Sequence, residues 1–333
     1  MWPGDCPRSD LVDRIDAGLS ALYLGFDLGG TNIRTAVARV LGDSATLLGR
    51  DTRATPQTGP ESVVAALVTS AGAAMSAAKV RLEDIAAAGC SAPGPLDHLT
   101  GVILTTQNIA GFADASFPLA ARLADGLGGP PVFLDRDTVM AAIGEGIAGA
   151  AKGSRSYVYL TVSTGVGGAI VSDGRMVRGA TNTAGELGHF PVGFDRDVRC
   201  RCGSYGCVEG YAAGRNLAEA YGVDDAGVVY ARAAAGDPRA MALIARAEAA
   251  LASLAVGIVN ALNPERIVVG GSVAEHEPSH VLEPMKRAIA ERAFKVPAAA
   301  CSVIPSALGA DVSIIGSALA ARDRATGKGA WFL

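Results

Sequence analysis

The chain has 333 residues and a formal net charge of −4, and 50% of its residues are hydrophobic while 19% are charged. This composition supplies apolar side chains for about two folded domains and excludes a disordered chain. The sequence pI of about 5.6 gives no general attraction for nucleic acid or for an anionic membrane. An anionic ligand would therefore need a local binding site.

Residues 1–20 form a lead-in before the first apolar run. They carry charges where a secretion signal would have an apolar core: Asp5, Arg8, Asp10, Asp13 and Arg14. We therefore expect a cytoplasmic protein. The most apolar stretches, such as residues 251–262, are shorter than a membrane span, so no membrane segment is expected.

Apolar runs separated by turn signals predict alternating strands and helices. In the first half, strands are expected at 21–26, 33–40, 85–90 and 131–134, and helices at 61–79, 117–126 and from 138 to about 151. In the second half, strands are expected at 157–162, 169–172, 266–269 and 302–305, and helices between 217 and 262, at 282–293 and at 313–323.

Two glycine-rich turns, at residues 27–32 and 163–168, each join two apolar strands and lie about 135 residues apart. Such a repeat predicts a duplicated α/β fold with one lobe for each copy. The alternative is that two similar turns arose by chance.

The most specific motif consists of one histidine and three cysteines: His189, Cys200, Cys202 and Cys207. Clustered cysteines in a cytosolic protein indicate a metal site rather than a disulfide framework. One imidazole and three thiolates form a closed tetrahedral set that suits zinc and leaves no position for a catalytic water, so the zinc would be structural. The alternative is ordinary thiols beside a surface histidine.

The turn DLGGTN at residues 27–32 has the features of a phosphate loop. Gly29 and Gly30 leave backbone N–H groups open to a phosphate, and Thr31 and Asn32 add side-chain donors. Asp27, at the end of the strand, could stand near a magnesium ion. The alternative is a plain hairpin turn without a binding function. That alternative is less favoured because a similar glycine-rich turn, STGVGG, occurs at 163–168.

In the second turn, Thr164 and Gly165 occupy the equivalent places. A third glycine pair, Gly270 and Gly271, follows a predicted strand and would let a flat ring lie against the backbone. That pair is a weak signal, because glycines are common after strands.

Asp137 lies between a predicted strand and a predicted helix. A carboxylate at this point can take the proton of a substrate hydroxyl, but an aspartate also caps a helix well. Asp135 is a competing candidate. Near the cysteines, Glu186, His189 and Glu209 could hold the hydroxyls of a polyol, or they could support the metal.

Together these motifs resemble the ROK group of repressors, open reading frames and sugar kinases. The resemblance runs from about residue 22 to residue 322 and includes the segments DLGGTN (27–32), 162–169, AGELGH (184–189), the cysteine segment 200–209 and NPERIVVGG (263–271). It implies an α/β, actin-like ATPase (ribonuclease H-like) fold with two lobes and a cleft between them. We expect residues 21–135 with 312–325 in the smaller lobe, and residues 136–311 in the larger lobe with the zinc loop.

The resemblance also implies the activity, which is phosphoryl transfer from MgATP to a hexose hydroxyl, usually the one on C6. Asp137 would be the base, Asp27 would stand by magnesium, and Thr31 and Thr164 would lie near the phosphates. The sugar would be held by Gly94, Asn108, Glu186, His189 and Glu209. Glucose is the first candidate, followed by N-acetylglucosamine, N-acetylmannosamine and other hexoses. Family members are commonly dimers or tetramers.

Two features separate this chain from parts of the family. Repressors carry an N-terminal helix-turn-helix domain, whereas about twenty residues precede the first strand here, so no nucleic-acid partner is expected. Sugar kinases usually have Asn-Asp where this chain has Arg136-Asp137. Arg136 can swing out of the pocket, bind an anionic group, or pair with a neighbouring aspartate. A guanidinium there also favours the alternative of a non-catalytic sugar or sugar-phosphate binding protein. Phe112, near a common tryptophan, is expected to be a packing change.

Overall fold

Two five-stranded sheets carry the fold of this computed structural model, which describes residues 20–106, 109–113, 115–193, 196–327, 329 and 331. Each sheet lies in its own compact unit. Of the described residues, the first unit comprises those up to Gly149, Arg178–Thr183 and those from Asp311 onward. The second unit comprises Ala150–Val177 and Ala184–Ala310.

The sheet of the first unit has the strand order β3-β2-β1-β4-β7. Its strands are β1 (Ala21–Leu28), β2 (Asn32–Leu41), β3 (Ser44–Ala54), β4 (Ile85–Ala92) and β7 (Val132–Arg136), and a separate two-stranded ribbon consists of β5 (Leu96–Asp97) and β6 (Val102–Ile103). β1, β2 and β3 are antiparallel neighbours, whereas β1, β4 and β7 run parallel. Nearly every residue of β1 and β4 is buried, as expected for parallel strands that are covered on both faces.

The described part of this unit has the α-helices α1 (Pro60–Ala78), α2 (Leu119–Leu127), α3 (Asp137–Ala148) and α11 (Val312–Thr326). α1 and α2 bury Val63, Leu67, Leu119 and Leu123 with the sheet residues Leu24 and Phe26 in one apolar core. α11 packs against β1, β4 and α3.

The sheet of the second unit has the order β10-β9-β8-β11-β12. Its strands are β8 (Tyr157–Val162), β9 (Val166–Ser172), β10 (Arg175–Met176), β11 (Arg266–Gly270) and β12 (Ser302–Pro305). Its helices are α4 (Val208–Ala212), α5 (Gly214–Tyr221), α6 (Ala226–Ala234), α7 (Pro238–Leu262), α8 (Ser272–His276), α9 (Pro278–Arg292) and α10 (Lys295–Ala300). α7 packs against α9, α6 and α4 and supplies much of this unit's core.

The duplication predicted from the two turns is confirmed by the topology. In both sheets the first three strands are antiparallel neighbours, and the next two strands are added in parallel on the other side of the first strand. The same chain path therefore occurs twice.

The division of the chain differs from the expected lobe boundaries at 136–149 and at 178–183. The first difference arises because α3 packs closely on α11, where a Cβ on Gly316 would lie 1.8 Å from the carbonyl oxygen of Met140. The second arises because Arg178 donates to Asp135 Oδ1 at 2.8 Å, and Asn182 donates to the Leu96 carbonyl oxygen at 3.0 Å. These contacts place both segments in the first unit.

Several element limits also differ from the sequence prediction. β3 was not anticipated, although its residues alternate between more and less exposed positions as an edge strand does. β9 begins at Val166 rather than Ala169, because Gly167 and Gly168 pair with Thr161 and Leu160.

Two described helices, α1 and α7, are long and apolar enough to cross a membrane by length and composition alone. α7 has 25 residues, so the apolar stretch 251–262 belongs to a longer helix than expected. Half of the most apolar 18-residue stretch of α7 is buried inside the protein. A helix in the core of a globular protein has the same length and composition.

Candidate active site

Three polar residues lie side by side across the parallel strands of the first unit. Asp27 on β1 is in register with Ser91 on β4, and Ser91 is in register with Asp135 on β7. Neighbouring strands are about 4.8 Å apart, so the Cα atoms of Asp27 and Asp135 are separated by roughly 10 Å. The carboxyl ends of parallel strands are where open α/β sheets bind ligands.

Asp27 is 8% exposed, and partners on both sides hold its carboxylate. Ser91 Oγ donates to Asp27 Oδ1 at 2.6 Å, and Arg34 Nε donates to Oδ2 at 2.9 Å. Arg34 and Ser91 were not recognised from the sequence, because neither lies in the motif around Asp27. Alternation along β2 could have indicated Arg34, since it faces Asp27 directly in the β1–β2 register.

The first glycine turn is fixed by residues that follow β3. Thr55 donates its backbone N–H to the Thr31 carbonyl oxygen at 2.8 Å and its hydroxyl to the Gly29 carbonyl oxygen at 2.7 Å. Gln57 Nε2 donates to the Gly30 carbonyl oxygen at 3.0 Å. With its carbonyl groups bound on that side, the turn presents Thr31 and the start of β2, Asn32, as exposed residues.

Asp137 is the first residue of α3 and is exposed, whereas its neighbours Arg136 and Thr138 are buried. Its Oδ1 accepts the backbone N–H of Thr138 at 2.7 Å. The helix thus begins one residue earlier than expected, with Arg136 at the N-cap position and no side-chain cap bond. A capping aspartate would accept the N–H two or three residues further on, so the capping interpretation of Asp137 is wrong, and its carboxylate faces solvent.

Asp135, the competing candidate, is 1% exposed and is neutralised by Arg178. Its Oδ1 also accepts the backbone N–H of Arg136 at 2.9 Å. Burial, together with the charge of Arg178, lowers the pKa of the nearby His98 to about 4, so His98 is neutral at pH 7. Asp135 is thus a buried ion-pair partner and is not reachable by a substrate.

Arg136 is 3% exposed. Its aliphatic stem lies against Gly94, where a Cβ would be 3.1 Å from Arg136 Cδ and 3.3 Å from Cγ. The Arg136 side chain therefore does not extend into solvent. The residue lies beside Gly94, a position that the resemblance assigns to the sugar pocket.

In the second unit, the expected metal ligands come together. The ligand atoms of His189, Cys200, Cys202 and Cys207 all lie within 4.8 Å of one another. Cys202 Sγ is 3.8 Å from Cys207 Sγ, and Cys200 Sγ is 3.5 Å from His189 Nδ1. In a tetrahedral site with Zn–S bonds of about 2.3 Å, neighbouring sulfurs are about 3.8 Å apart. The distances fit a four-coordinate zinc and are too long for a disulfide.

The segment that carries Glu186 and His189 is pressed against β9. A Cβ on Gly188 would lie 1.8 Å from the Val166 carbonyl oxygen, and one on Gly185 would lie 2.8 Å from that of Gly168. Glu186 is exposed and His189 is half-buried. Because Nδ1 of His189 faces Cys200, Nε2 is left to point elsewhere.

Glu209 links the segment with the metal ligands, residues 186–210 (the metal loop), to the second glycine turn. Its Oε2 accepts the Val166 N–H at 3.1 Å, and its Oε1 lies 3.8 Å from Cys200 Sγ. The turn itself is Ser163–Gly165, shorter than predicted, and it is closed by a bond from the Ser163 N–H to the Gly165 carbonyl oxygen at 2.8 Å.

A cavity of about 650 Å³ lies in the second unit beside this turn. Ser163 and Thr164 line it, and so does Ser272, whose hydroxyl is 3.0 Å from that of Ser163. Gly271, at φ +96°, brings the chain so close that a Cβ would lie 2.6 Å from the Val162 carbonyl oxygen. The cavity walls from α5 and α6 were not recognised from the sequence, since they carry no motif. Asn108, expected to hold the sugar, lies outside the described residues.

The repeated sheet, with a glycine turn after the first strand of each copy, defines the α/β, actin-like ATPase (ribonuclease H-like) fold. Residues 23–324 match the ROK family. A glucokinase of Halalkalibacterium halodurans is 30% identical over 313 residues, which cover 88% of this chain and 93% of that protein. An N-acetylmannosamine kinase of Citrobacter koseri is 35% identical over 254 residues, covering 75% and 83%.

Among solved structures, the crystal structure of the ROK hexokinase from Thermus thermophilus is 35% identical with a TM-score of 0.76, covering 92% of this chain and 99% of that one. These matches extend over nearly the whole chain. The chain belongs to the ROK family.

Proposed function

We propose that this protein is a glucokinase-like enzyme that transfers the γ-phosphoryl group of ATP to the C6 hydroxyl of a hexose, with Asp137 as the base. The relatives described above are sugar kinases, and each aligns with this chain over most of its length. The chain is therefore an ATP-dependent sugar phosphotransferase. The observation that carries the assignment to Asp137 is its position: it is an exposed carboxylate two residues beyond the row of Asp27, Ser91 and Asp135.

Asp137 would orient the acceptor hydroxyl and accept its proton as the phosphoryl group is transferred. The competing carboxylate, Asp135, is buried and paired with Arg178, which leaves Asp137 as the accessible one. Backbone N–H groups of Gly29, Gly30 and Gly165 and the hydroxyls of Thr31 and Thr164 would bind the phosphates of ATP.

The other sugar hydroxyls would be held by Glu186, His189, Glu209 and Asn108, with Gly94 lining the pocket. Carboxylates accept hydrogen bonds from two neighbouring hydroxyl groups, which suits a polyol. Glu209 would serve in addition as a brace, because it already binds the Val166 N–H. Gly270 and Gly271 would lie beside the nucleoside.

Zinc would be held by His189, Cys200, Cys202 and Cys207, whose spacing fits a closed tetrahedral site. Its contribution would be structural, because four protein ligands leave no open position for substrate. Magnesium bound with ATP would neutralise phosphate charge, and Asp27 would stand near it.

Glucose is the first candidate acceptor, since glucokinases are among the relatives, and an N-acetylhexosamine is the second, since an N-acetylmannosamine kinase is also among them. The buried Arg136 beside Gly94 favours a second function, the binding of a sugar phosphate or sugar acid without catalysis. We further propose a cytoplasmic homodimer or homotetramer, with no nucleic-acid or membrane partner.

The test is ADP release from MgATP against a panel of hexoses, N-acetylhexosamines and sugar acids, with protein that contains one equivalent of zinc. A strong response to one or a few sugars, above the rate without sugar, supports the kinase and identifies its acceptor. A response to none of them, with sugar phosphates binding in calorimetry, would assign the protein to the binding class.

A further inference from the structure

The cavity beside the second glycine turn extends along α5. The helix starts at the turn, where the Gly214 N–H donates to the Ser163 carbonyl oxygen at 2.8 Å. Arg215 and Glu219 both line the cavity, and they are one helical turn apart on the same face. Beyond α5 the lining continues through Val223 to Tyr230 of α6. The lining of the cavity therefore includes the phosphate turn, Glu219 and the aromatic ring of Tyr230.

The metal loop contributes one residue to this lining, Arg201. Arg201 stands between Cys200 and Cys202, so the metal that those thiolates are spaced to hold would fix its backbone. Its guanidinium forms an ion pair with Glu219 across the cavity edge. The arginine side chain is 57% exposed and the glutamate side chain 55% exposed. An exposed ion pair contributes little to stability, so the arginine can exchange partners.

A phosphate group bound in this cavity would need a guanidinium beside it, because carboxylates outnumber arginines in the lining. The described residues that line it include four carboxylates and two arginines: Glu219, Asp224, Asp225, Glu277, Arg201 and Arg215. If a triphosphate binds with its terminal phosphates at Thr164, the phosphate next to the ribose would lie further along the cavity. Arg201 and Arg215 are the arginines that line the cavity, and a guanidinium binds phosphate oxygens through two parallel hydrogen bonds.

We propose that Arg201 is a nucleotide-binding residue that the metal loop carries into the donor site. In the free protein Glu219 holds Arg201 at the cavity edge. When ATP binds, Arg201 leaves Glu219 and contacts the phosphate next to the ribose. The metal loop would then contribute Arg201 to nucleotide binding as well as His189 to sugar binding. This inference rests on the proposed kinase function.

The experiment measures the affinity of a non-hydrolysable ATP analogue with magnesium, by calorimetry in the absence of sugar. Arg201→Ala should weaken binding by about tenfold, as expected for the loss of a charge-assisted hydrogen-bond pair, and Arg201→Lys should recover part of that loss. Arg199→Ala is the matched control, because Arg199 is an exposed arginine that also adjoins Cys200 but does not line the cavity. The zinc content of each variant shows whether its metal loop is intact.

Glu219→Gln should change the affinity for the ATP analogue in the opposite direction. Because Glu219 competes with the phosphate for Arg201, its neutralisation should tighten the analogue by a few-fold. The KM for sugar should stay unchanged in both single variants.

Two results would overturn the proposal. One is unchanged affinity in Arg201→Ala with zinc retained. The other is weaker binding in Glu219→Gln with no further loss in the double variant, which would mean that Arg201 acts only by positioning Glu219. Failure of the kinase assignment would look different, because the analogue would bind while no sugar raised ADP release.

Discussion

At the scale of single residues, three aspartates of the first unit have the same chemistry and different surroundings. Asp27 is buried and held by Ser91 and Arg34. Asp135 is buried and paired with Arg178. Asp137 is exposed at the start of α3. A base must reach the hydroxyl that it deprotonates, so exposure, rather than residue type, separates Asp137 from Asp135.

Asp137→Asn should lower kcat by a factor of roughly 10² to 10⁴, the range typical for the loss of a general base. The amide can still accept a hydrogen bond from the sugar, so the KM for sugar should change little. ADP-release kinetics measure both constants. Asp125→Asn is the control, since it removes another exposed carboxylate, on α2. Near-normal turnover in Asp137→Asn would remove Asp137 from the role of base.

At the scale of elements, glycines let α11 approach the sheet and α3 at backbone distance. A Cβ on Gly25 of β1 would lie 2.4 Å from the Ile314 carbonyl oxygen, and one on Gly89 of β4 would lie 2.0 Å from that of Ser317. Gly144 of α3 and Gly316 of α11 face each other in the same way. The C-terminal helix is therefore part of the first unit's core.

Gly316→Ala should destabilise the protein, because its new methyl group would overlap the Met140 carbonyl oxygen. Overpacking of this kind costs about 1–3 kcal/mol or more. Gly72→Ala is the matched control: Gly72 is exposed within α1, and a Cβ there meets nothing within 4 Å. That change should be neutral or stabilise by up to about 1 kcal/mol. Urea denaturation distinguishes the two, and equal stability of both variants would show that α3 and α11 do not pack as described.

The C-terminal helix also contains a buried acid, Asp323, which is 5% exposed. Burial raises the pKa of Asp323 to about 6; Arg322 and the Trp331 side chain oppose the rise, whereas Asp43 adds to it. Between its unfolded pKa near 3.8 and about 6, the folded protein binds more protons than the unfolded chain. The contribution of Asp323 to stability is therefore present at low pH and is lost as the pH rises through about 6.

Asp323→Asn should consequently gain stability relative to wild type as the pH rises from about 4 to 7, by up to about 3 kcal/mol. Urea denaturation of both proteins across this range measures the difference, in which the titration of other groups cancels. Asp43→Asn should shrink the effect, since Asp43 raises the pKa of Asp323. A difference that stays constant with pH would contradict the raised pKa.

At the scale of the whole molecule, a similar glycine turn occurs once in each unit, and different contacts stabilise each copy. In the first unit, Thr55 and Gln57 from the end of β3 hold the turn around Gly29 and Gly30. In the second unit, Glu209 from the metal loop binds the strand that leaves the turn. Within the second unit, the second turn is therefore braced by the cysteine segment, whereas within the first unit the end of β3 holds the first turn.

Removal of zinc should raise amide hydrogen exchange at residues 163–168 as well as at 186–210, and leave exchange at residues 28–32 unchanged. The reason is that Glu209 loses its fixed position when the loop opens. Cys202→Ser should have the same effect and should abolish kinase activity. Hydrogen exchange of zinc-loaded and chelated protein, followed by mass spectrometry, measures it. Equal loosening of both turns, or full activity without zinc, would show that the metal is not a local brace.

Much of this protein follows from local sequence. The duplicated sheet order, most helices and strands, and the set of metal ligands depend on apolar periodicity, glycine turns and the spacing of His189 and the cysteines, which are local properties of the chain. The family motifs lie in the same segments, so they identify the fold and the class of activity together.

Other features depend on contacts between residues far apart in sequence, and only the tertiary structure decided them. Arg178 neutralises Asp135 from 43 positions away, and Arg201 meets Glu219 of α5, a helix that carries no motif, at the edge of the cavity. The burial of Arg136, and the assignment of α3 to the first unit through Gly316, likewise depend on how elements pack. Residue type and spacing limit which groups can react, but burial and ion pairing, which follow from packing, determine which of them are accessible and charged.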